Sequence, residues 1–282
     1  MTRRAFLDGL LASGACAGCR AIGIPGGPRF GAQLFSVRDV LMREGPAKTF
    51  AALGEFGYAG VELYSGALSC APAEMARLLD GAGLVACGVH IGPDDLETSR
   101  LDRILDDGLA FGNTHFVDAW SVIRGKTPAE QEEDWKRFAD RLGAAAEYAA
   151  ARGCTIGYHN HRKEFVRAFG GRCAWEIVYD RASPLLKTEM DVGWATDAGE
   201  DVAAWFARYP GRALSLHAKE VSPGRALGDV PSGARGVDWS AVGRAAVADG
   251  TQWIVVECEA EPGNPGLLRD SLSFIREGGY FE

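Results

Sequence analysis

An alternation of short apolar runs with helix-like segments is the feature that most limits how this chain can fold. From about residue 29 onward, eight apolar runs recur, each ending in polar residues and each followed by a stretch with helical spacing. The runs are Gly31–Phe35, Gly60–Leu63, Leu84–Val89, His115–Val117, Thr155–Tyr158, Leu185–Met190, Ala213–Leu216 and Trp253–Val256. Such an alternation favours βαβ units and a parallel sheet.

The segments between the runs predict the helices Ala47–Phe56, Ala73–Leu79, Leu101–Leu109, Pro128–Arg152, Val202–Tyr209, Trp239–Ala248 and Leu267–Ile275. Eight strand–helix units within the 254 residues from 29 to 282 match a (β/α)8 barrel of about 250 residues. A doubly wound sheet is the alternative, but it usually carries GxGxxG after its first strand, and residues 33–38 contain no such motif. The sequence therefore predicts an α/β protein with a single (β/α)8 TIM barrel over residues 29–282.

Composition argues against two classes of protein. The 38 acidic residues exceed the 30 basic ones, giving a net charge of −8, and no Lys/Arg cluster is present that would bind the phosphates of a nucleic acid. No apolar run reaches the roughly 18 residues that a transmembrane helix needs. We therefore expect a small-molecule substrate and no nucleic-acid partner, with a homo-oligomer left open.

The N-terminus resembles a targeting segment. Thr2-Arg3-Arg4-Ala5-Phe6-Leu7 is similar to a twin-arginine export signal. Ala17-Gly18-Cys19 resembles the end of a bacterial lipobox, which would make Cys19 a lipid anchor. An amphipathic N-terminal helix is the alternative interpretation. We assign residues 1–28 to a signal and linker, and expect a periplasmic protein or one anchored to the membrane by lipid.

Polar residues follow the last four runs, at the ends of barrel strands where active sites lie. These residues are His159, Asp191, His217 and Glu257, and their separations of 32, 26 and 40 residues each approximate one strand–helix unit. We therefore expect the four side chains on one side of the barrel mouth. Two imidazoles and two carboxylates suit Mn, Co, Zn or Fe, and Mg less well. Solvated loop residues are the alternative interpretation.

At this point the sequence resembles a known family. The motifs that carry the resemblance are Gly57-Tyr58-Ala59-Gly60-Val61-Glu62, Gly157-Tyr158-His159-Asn160-His161, Met190-Asp191-Val192-Gly193-Trp194, Leu216-His217-Ala218-Lys219-Glu220 and Val256-Glu257. In this order they are similar to the xylose isomerase-like TIM barrel superfamily, the sugar phosphate isomerases/epimerases, over roughly residues 29–280. The resemblance implies a metal held by His159, Asp191, His217 and Glu257. Epimerases of that family commonly carry Glu where His159 stands.

Further side chains near the strand ends are candidates for chemistry or binding. Glu257 could act as base as well as ligand, and Lys219 could neutralise an enolate oxygen or, with a lowered pKa, transfer protons. His161 could orient substrate hydroxyls. The candidates for substrate binding are His90, Glu62, Gln33 and Trp194. Glu62 and Gln33 could instead support the ligand imidazoles, and His115, at the start of the fourth strand, is interpreted as structural.

Three functions follow. The first is a divalent-metal-dependent sugar isomerase or epimerase that abstracts a proton next to a carbonyl. Because no glycine-rich phosphate loop is present, a non-phosphorylated sugar is the expected substrate. The second is a lyase or hydrolase that cleaves a 3-keto-glycoside by β-elimination. The third is a carbohydrate-binding lipoprotein without catalysis. A nuclease role like that of the related endonuclease IV is disfavoured, because the chain has only five His.

Overall fold

A computed structural model describes residues 27–65, 70–230, 235–260 and 263–282. Within these ranges, eight parallel strands close into one barrel in sequence order, and the last strand pairs with the first. The strands are β1 Arg29–Gln33, β2 Gly60–Tyr64, β3 Val85–Ile91, β4 His115–Asp118, β5 Thr155–His159, β6 Lys187–Asp191, β7 Ala213–Ala218 and β8 Trp253–Val256. The predicted (β/α)8 barrel is confirmed, and every predicted run overlaps one strand.

The described residues also form ten α-helices. They are α1 Arg38–Glu44, α2 Pro46–Phe56, α3 Pro72–Gly81, α4 Thr98–Ala110, α5 Pro128–Ala150, α6 Ala174–Arg181, α7 Val192–Asp197, α8 Val202–Arg208, α9 Trp239–Asp249 and α10 Pro265–Gly278. All seven predicted helices are present. Three helices, α1, α6 and α7, were not predicted. Six consecutive residues of α6, from Ala174 to Tyr179, are buried, so this helix shows no amphipathic period.

Side chains capture the N-termini of several helices. Thr127 forms a capping box with Glu130 at the start of α5, and Asp201 and Asp238 accept backbone N–H groups at the starts of α8 and α9. Asp191 does the same for α7, where its Oδ1 accepts the N–H of Trp194 at 2.8 Å. This cap uses one oxygen of Asp191 and leaves the other, Oδ2, for a different partner.

The strands separate an apolar layer from a polar barrel interior. Met190 and Leu216 belong to the apolar core. Glu189 on β6 and Ser215 on β7 are fully buried and hydrogen-bonded to each other, with Ser215 Oγ donating to Glu189 Oε2 at 2.7 Å. The alternation of a strand therefore directs successive residues to different layers, and the titratable groups gather inside the barrel.

Parts of the sequence interpretation fall outside the described ranges. Residues 1–26, which contain the export-like motif and Cys19, lie there, so the signal and the lipid anchor stay predictions. His115 begins β4, where its ring contacts Thr155 Oγ1 at 2.8 Å and Ser215 Oγ at 3.2 Å. Within the described ranges no helix combines the length and apolar character needed to cross a bilayer.

Candidate metal centre and active site

Strand register places the four predicted ligands at the same end of the barrel. Asp191 is paired with His217 across β6 and β7, and His159 ends β5. Glu257 follows β8, where its backbone N–H donates to the carbonyl of Ala218 at 3.1 Å. All four ligand candidates are buried. The sequence separations of about one strand–helix unit thus correspond to adjacent positions around the barrel.

The side chains of these residues converge. Asp191, His217 and Glu257 each offer a ligand atom, and these three atoms lie within 4.8 Å of one another. Nδ1 of His217 lies 3.0 Å from Oε2 of Glu257, and Nε2 of His159 lies 3.8 Å from Oδ2 of Asp191. Three of the four predicted ligands therefore converge with ligand spacing, and His159 lies beside them with its Nε2 facing Asp191.

Oδ2 of Asp191 shows that these residues fit a cation. This oxygen is buried and has no hydrogen-bond partner among the residues that the structure describes. A buried carboxylate oxygen without a partner is costly, and a divalent ion held by imidazole and carboxylate ligands would satisfy it. Burial and the negative charge of Glu257 raise the pKa of Asp191 to about 7, although the Lys219 ammonium opposes this shift. A site that destabilises its own carboxylate charge in this way suits a metal ligand.

Lys219 lies beside the four ligands. Its Nζ donates to Glu259 Oε1 at 2.6 Å, lies 3.2 Å from Glu257 Oε2 and 3.8 Å from Asp191 Oδ2. Burial opposes the charge of Lys219, but Glu257, Asp191 and Glu259 outweigh it and raise its pKa. This direction differs from the lowered pKa considered for proton transfer. The contacts therefore favour Lys219 as a fixed positive charge.

Lys219 also explains the position of Trp194. Nζ of Lys219 lies 5.0 Å from the centroid of the Trp194 ring, within the range of a cation–π contact. An added methyl group on Gly193 would lie 2.6 Å from the carbonyl oxygen of Lys219, so glycine allows α7 to approach β7 closely. Trp194 packs against the ammonium group of Lys219. It is not among the described residues that line the cavity, so its predicted role in substrate binding has no support from the lining.

A second set of polar side chains lies deeper in the barrel. Oε2 of Glu62 accepts from Gln33 Nε2 at 2.6 Å and contacts Nε2 of His217 at 2.6 Å. Oε1 of Glu189 lies 2.7 Å from Nε2 of His90 and 3.0 Å from Nε2 of His217. Burial opposes the charge of His90, but the carboxylates of Glu62 and Glu189 raise its pKa to about 10. Of the two roles considered for Glu62 and Gln33, the contacts favour support of an imidazole.

Sequence reasoning gave Glu189 no role. The available signal was strand alternation, since Glu189 stands two residues before Asp191 on β6 and so shares its face. A carboxylate two residues before a metal ligand belongs to no recognisable sequence motif. Its importance becomes visible only when β3 and β7 bring His90 and His217 to it.

A cavity of about 400 Å³ opens above the ligands. Six of the predicted site residues line it: Gln33, His90, His159, His161, Lys219 and Glu257. Asp191 and His217 are fully buried beneath them. Phe35, Tyr64 and Trp120 add an aromatic rim that was not assigned to the site. The dimensions suit a small ligand, with apolar walls and a few converging polar groups.

His161 belongs to one wall of this cavity. Its ring stacks on Trp120 with centroids 5.3 Å apart and lies 5.0 Å from the ring of His159. Burial and the charge of Lys219 lower the pKa of His161 to about 4. Its backbone N–H, rather than its ring, bonds Glu164 Oε2 at 2.9 Å. The ring is therefore a neutral group that can bond a hydroxyl.

Comparison with solved structures identifies similar barrels. A sugar phosphate isomerase/epimerase from Parabacteroides distasonis is 20% identical, with a TM-score of 0.77 over 95% of this chain and 100% of that chain. L-ribulose 3-epimerase is 18% identical, with a TM-score of 0.68 over 89% and 94%. The 3-keto-D-glucoside 4-epimerase of E. coli is 16% identical, with a TM-score of 0.61 over 89% and 99%.

Sequence comparison gives the family directly. No curated protein sequence matches the chain at significant similarity. The family model described as xylose isomerase-like TIM barrel matches residues 50–278, which is most of the chain and includes every predicted metal ligand. The family resemblance inferred from the strand-end motifs is therefore confirmed, and the chain belongs to the xylose isomerase-like TIM barrel family.

Proposed function

We propose that this protein is a divalent-metal-dependent enzyme of the sugar isomerase/epimerase type, which abstracts a proton next to a carbonyl of a non-phosphorylated sugar. One observation carries the proposal: Asp191, His217 and Glu257 converge within 4.8 Å beneath a cavity of about 400 Å³. Within the described part of the chain, Oδ2 of Asp191 has no hydrogen-bond partner. The solved barrels that resemble this chain include an L-ribulose 3-epimerase and a D-psicose 3-epimerase, which supports the same class of chemistry.

Four residues would hold the metal ion, and one of them, Glu257, would also accept the proton. His159, Asp191, His217 and Glu257 would hold the ion, which supplies Lewis acidity that polarises a bound carbonyl or diol. Burial opposes the charge of Glu257, but Lys219 and His217 hold its pKa well below the usual range. Glu257 is thus ionised and lines the cavity, where it can accept a proton from carbon.

Lys219 and His161 would act on the oxygens of the substrate. The ammonium of Lys219, which lines the cavity, would stabilise the negative charge that develops on oxygen as the proton leaves. The neutral ring of His161 would bond a hydroxyl. Return of the proton to the neighbouring carbon, with the hydroxyl proton moving to the former carbonyl oxygen, gives isomerisation. Delivery of a proton to the opposite face of the same carbon gives epimerisation.

The charges of the residues that line the cavity favour an uncharged sugar. Lys219 is the one Lys or Arg among the lining residues that the structure describes, and Asp95, Glu257 and Glu259 line the same space. Lys219 is already paired with two of these carboxylates, so a phosphate would meet net negative charge. The export-like N-terminus supports a periplasmic or lipid-anchored enzyme that meets neutral sugars.

A keto-glycoside lyase is the second candidate. Strand β5 contributes His159 and no carboxylate to the described cavity lining, whereas Glu257 follows β8. One base suffices for β-elimination from a 3-keto-glycoside: Glu257 takes the C2 proton, C1=C2 forms, the C1–O bond breaks, and the aglycone leaves with the electron pair. The similarity to a 3-keto-D-glucoside 4-epimerase makes a keto-sugar a relevant substrate.

One experiment separates these functions. The metal-loaded protein is incubated in D2O with 3-keto-glycosides, the corresponding plain glycosides and free keto-sugars, and the products are analysed by NMR. Deuterium beside the carbonyl without loss of the aglycone supports the isomerase/epimerase. Release of the aglycone from the keto-glycoside alone supports the lyase. Sugar binding that survives His217→Ala, with no turnover on any substrate, contradicts both enzymes.

A pair of neighbouring variants tests the base. Glu257→Gln should slow deuterium exchange about 10²- to 10⁴-fold, the usual contribution of a general base. Glu259→Gln is the matched control, since Glu259 also lines the cavity and pairs with Lys219. We expect a loss of less than about tenfold there, because Glu259 contacts no predicted metal ligand.

A further inference from the structure

Glu189 contacts three imidazoles with a single oxygen. Its Oε1 lies 2.7 Å from His90 Nε2, 3.0 Å from His217 Nε2 and 3.3 Å from His159 Nδ1. Glu189 is fully buried. It is neither among the residues that line the described cavity nor among the four predicted ligands. A buried charge is costly unless it is paired and hydrogen-bonded, and the partners of Glu189 indicate what its charge does.

The contacts select one ring nitrogen of each ligand imidazole. His217 directs Nε2 at Glu189 and Nδ1 at Glu257, which lies 3.0 Å away. His159 does the reverse, with Nδ1 near Glu189 and Nε2 facing Asp191 at 3.8 Å. One carboxylate therefore faces the nitrogens that point away from the metal site on both rings. The outward Nε2 of His217 bonds Glu62 Oε2 at 2.6 Å. The outward Nδ1 of His159 has no hydrogen-bond partner among the described residues and faces Glu189 Oε1 at 3.3 Å, so the two imidazoles present opposite ring nitrogens to the metal site.

Glu189 is itself fixed in place. Ser215 Oγ donates to its Oε2 at 2.7 Å, and His115 Nε2 lies 3.2 Å from the same hydroxyl. His115 is in turn bonded to Thr155 Oγ1 at 2.8 Å. These contacts join β4, β5, β6 and β7 across the barrel interior. The hydrogen bond from Ser215 fixes Oε2 of Glu189, and Oε1 faces the imidazoles.

The same atoms could be taken for a second metal site, since His90, His159, Glu189 and His217 form a group with ligand spacing. The distances argue against this. Two atoms bound to one ion at about 2.1 Å are separated by roughly 3.0–3.4 Å. Within the group, His90 Nε2 lies only 2.7 Å from Glu189 Oε1, and Nε2 of His217 is bonded at 2.6 Å to Glu62, which is outside the group. Contacts this short are those of charge-assisted hydrogen bonds.

We propose that Glu189 is a positioning residue for His159: its Oε1 faces Nδ1 of that ring, which the described residues leave without a hydrogen bond, and would accept the N–H there, so that Nε2 of His159 faces the metal site. Glu62, which bonds Nε2 of His217 at 2.6 Å, would in the same way turn Nδ1 of His217 toward that site. Carboxylates that bond the second nitrogen of a ligand imidazole fix its tautomer and orientation. His90 donates to Oε1 of Glu189 and completes its set of partners. The proposal rests on the proposed metal-dependent function.

The test measures Zn²⁺ affinity and stoichiometry by chelator competition for the wild-type chain, Glu189→Gln and Ser215→Ala. Glu189→Gln should bind one equivalent about 10- to 100-fold more weakly, and Ser215→Ala should show a smaller loss. Glu164→Gln is the control. Glu164 is an equally buried carboxylate that accepts from Tyr158 Oη at 2.8 Å and from the His161 N–H. The Zn²⁺ affinity of Glu164→Gln should equal that of the wild type.

Imidazole ¹⁵N shifts of the Zn²⁺-loaded protein provide a readout that a merely structural role would not change. His217 should carry its proton on Nε2 and His159 on Nδ1, and Glu189→Gln should disturb the His159 pattern. Unchanged affinity and tautomers in Glu189→Gln would overturn the proposal. Two equivalents in the wild type, falling to one in Glu189→Gln, would make Glu189 a ligand and also overturn it. A wild-type chain that binds no Zn²⁺ would instead refute the proposed metal-dependent function.

Discussion

Nζ of Lys219 lies 3.2 Å from Oε2 of Glu257, so the proposed base and the proposed oxygen-stabilising cation share one corner of the cavity. Lys219→Met should lower kcat about 10²- to 10³-fold, the usual cost of losing a group that stabilises an oxyanion. Metal content should remain at the wild-type level, because Lys219 is not a ligand. Steady-state kinetics with elemental analysis checks both parts, and an unchanged kcat would remove Lys219 from the chemistry.

The aromatic rim predicts an effect on substrate binding. Trp120 is 58% exposed, lines the cavity and stacks on His161. Trp120→Ala should raise KM up to about tenfold with little change in kcat, since aromatic packing contributes about 0.5–1.5 kcal/mol. Trp120→Phe should restore most of the affinity. A large fall in kcat with unchanged KM would be inconsistent with a binding role.

Trp175 predicts a difference between two core substitutions. Its side chain is fully buried against Tyr158 and Tyr179. Its indole N–H has no hydrogen-bond partner in the described ranges. Trp175→Ala should lower the free energy of unfolding by about 3–5 kcal/mol. Trp175→Phe should cost less than about 1.5 kcal/mol, since it keeps an aromatic ring and removes an unsatisfied donor. Urea unfolding measures both, and equal losses would contradict this account of the packing.

His115 predicts a dependence of stability on pH. Burial lowers its pKa below the ordinary 6.5, and the carboxylates of Glu189 and Glu62 only partly oppose this shift. The unfolded chain therefore binds a proton at His115 before the folded chain does. The stability from this group is complete above about pH 6.5 and is lost as the pH falls toward the lower folded pKa, by up to about 1.4 kcal/mol per pH unit.

Urea unfolding of the wild type and His115→Gln between pH 5 and 7.5 isolates this contribution. The variant is expected to be less stable at pH 7.5, because it loses the contacts of the ring with Thr155 and Ser215. The difference between the two proteins should narrow as the pH falls. A difference that is constant over this range would show that His115 does not titrate on unfolding.

The fold could be predicted because its determinants are local. Each strand is a short apolar run, and seven helices show their own period, so the eightfold alternation is visible along the chain. Helix α6 was missed because burial on all sides removes that period. The placement of the four proposed ligands could be predicted because each of His159, Asp191, His217 and Glu257 stands at the end of its own strand. Register then determines that they meet.

The deeper part of the site depends on contacts across the barrel and could not be predicted in the same way. Glu62 comes from β2, His90 from β3 and Glu189 from β6, and none of them has a partner nearby in sequence. Their contacts of 2.6–3.0 Å arise from barrel closure. In the aromatic rim, Phe35 lies in a short 3-10 helix after β1 and Trp120 follows β4, and barrel closure brings them to the same cavity.

Metal stoichiometry tests the central claim most directly. The wild-type protein, purified and loaded with Mn²⁺, Co²⁺ or Zn²⁺ and then desalted, should retain one equivalent of ion per chain by elemental analysis. Asp191→Asn should retain almost none while keeping the wild-type circular dichroism spectrum, because it removes the unpartnered carboxylate oxygen that the ion would satisfy. A wild type that retains no ion, or an Asp191→Asn protein that retains a full equivalent, would contradict the account.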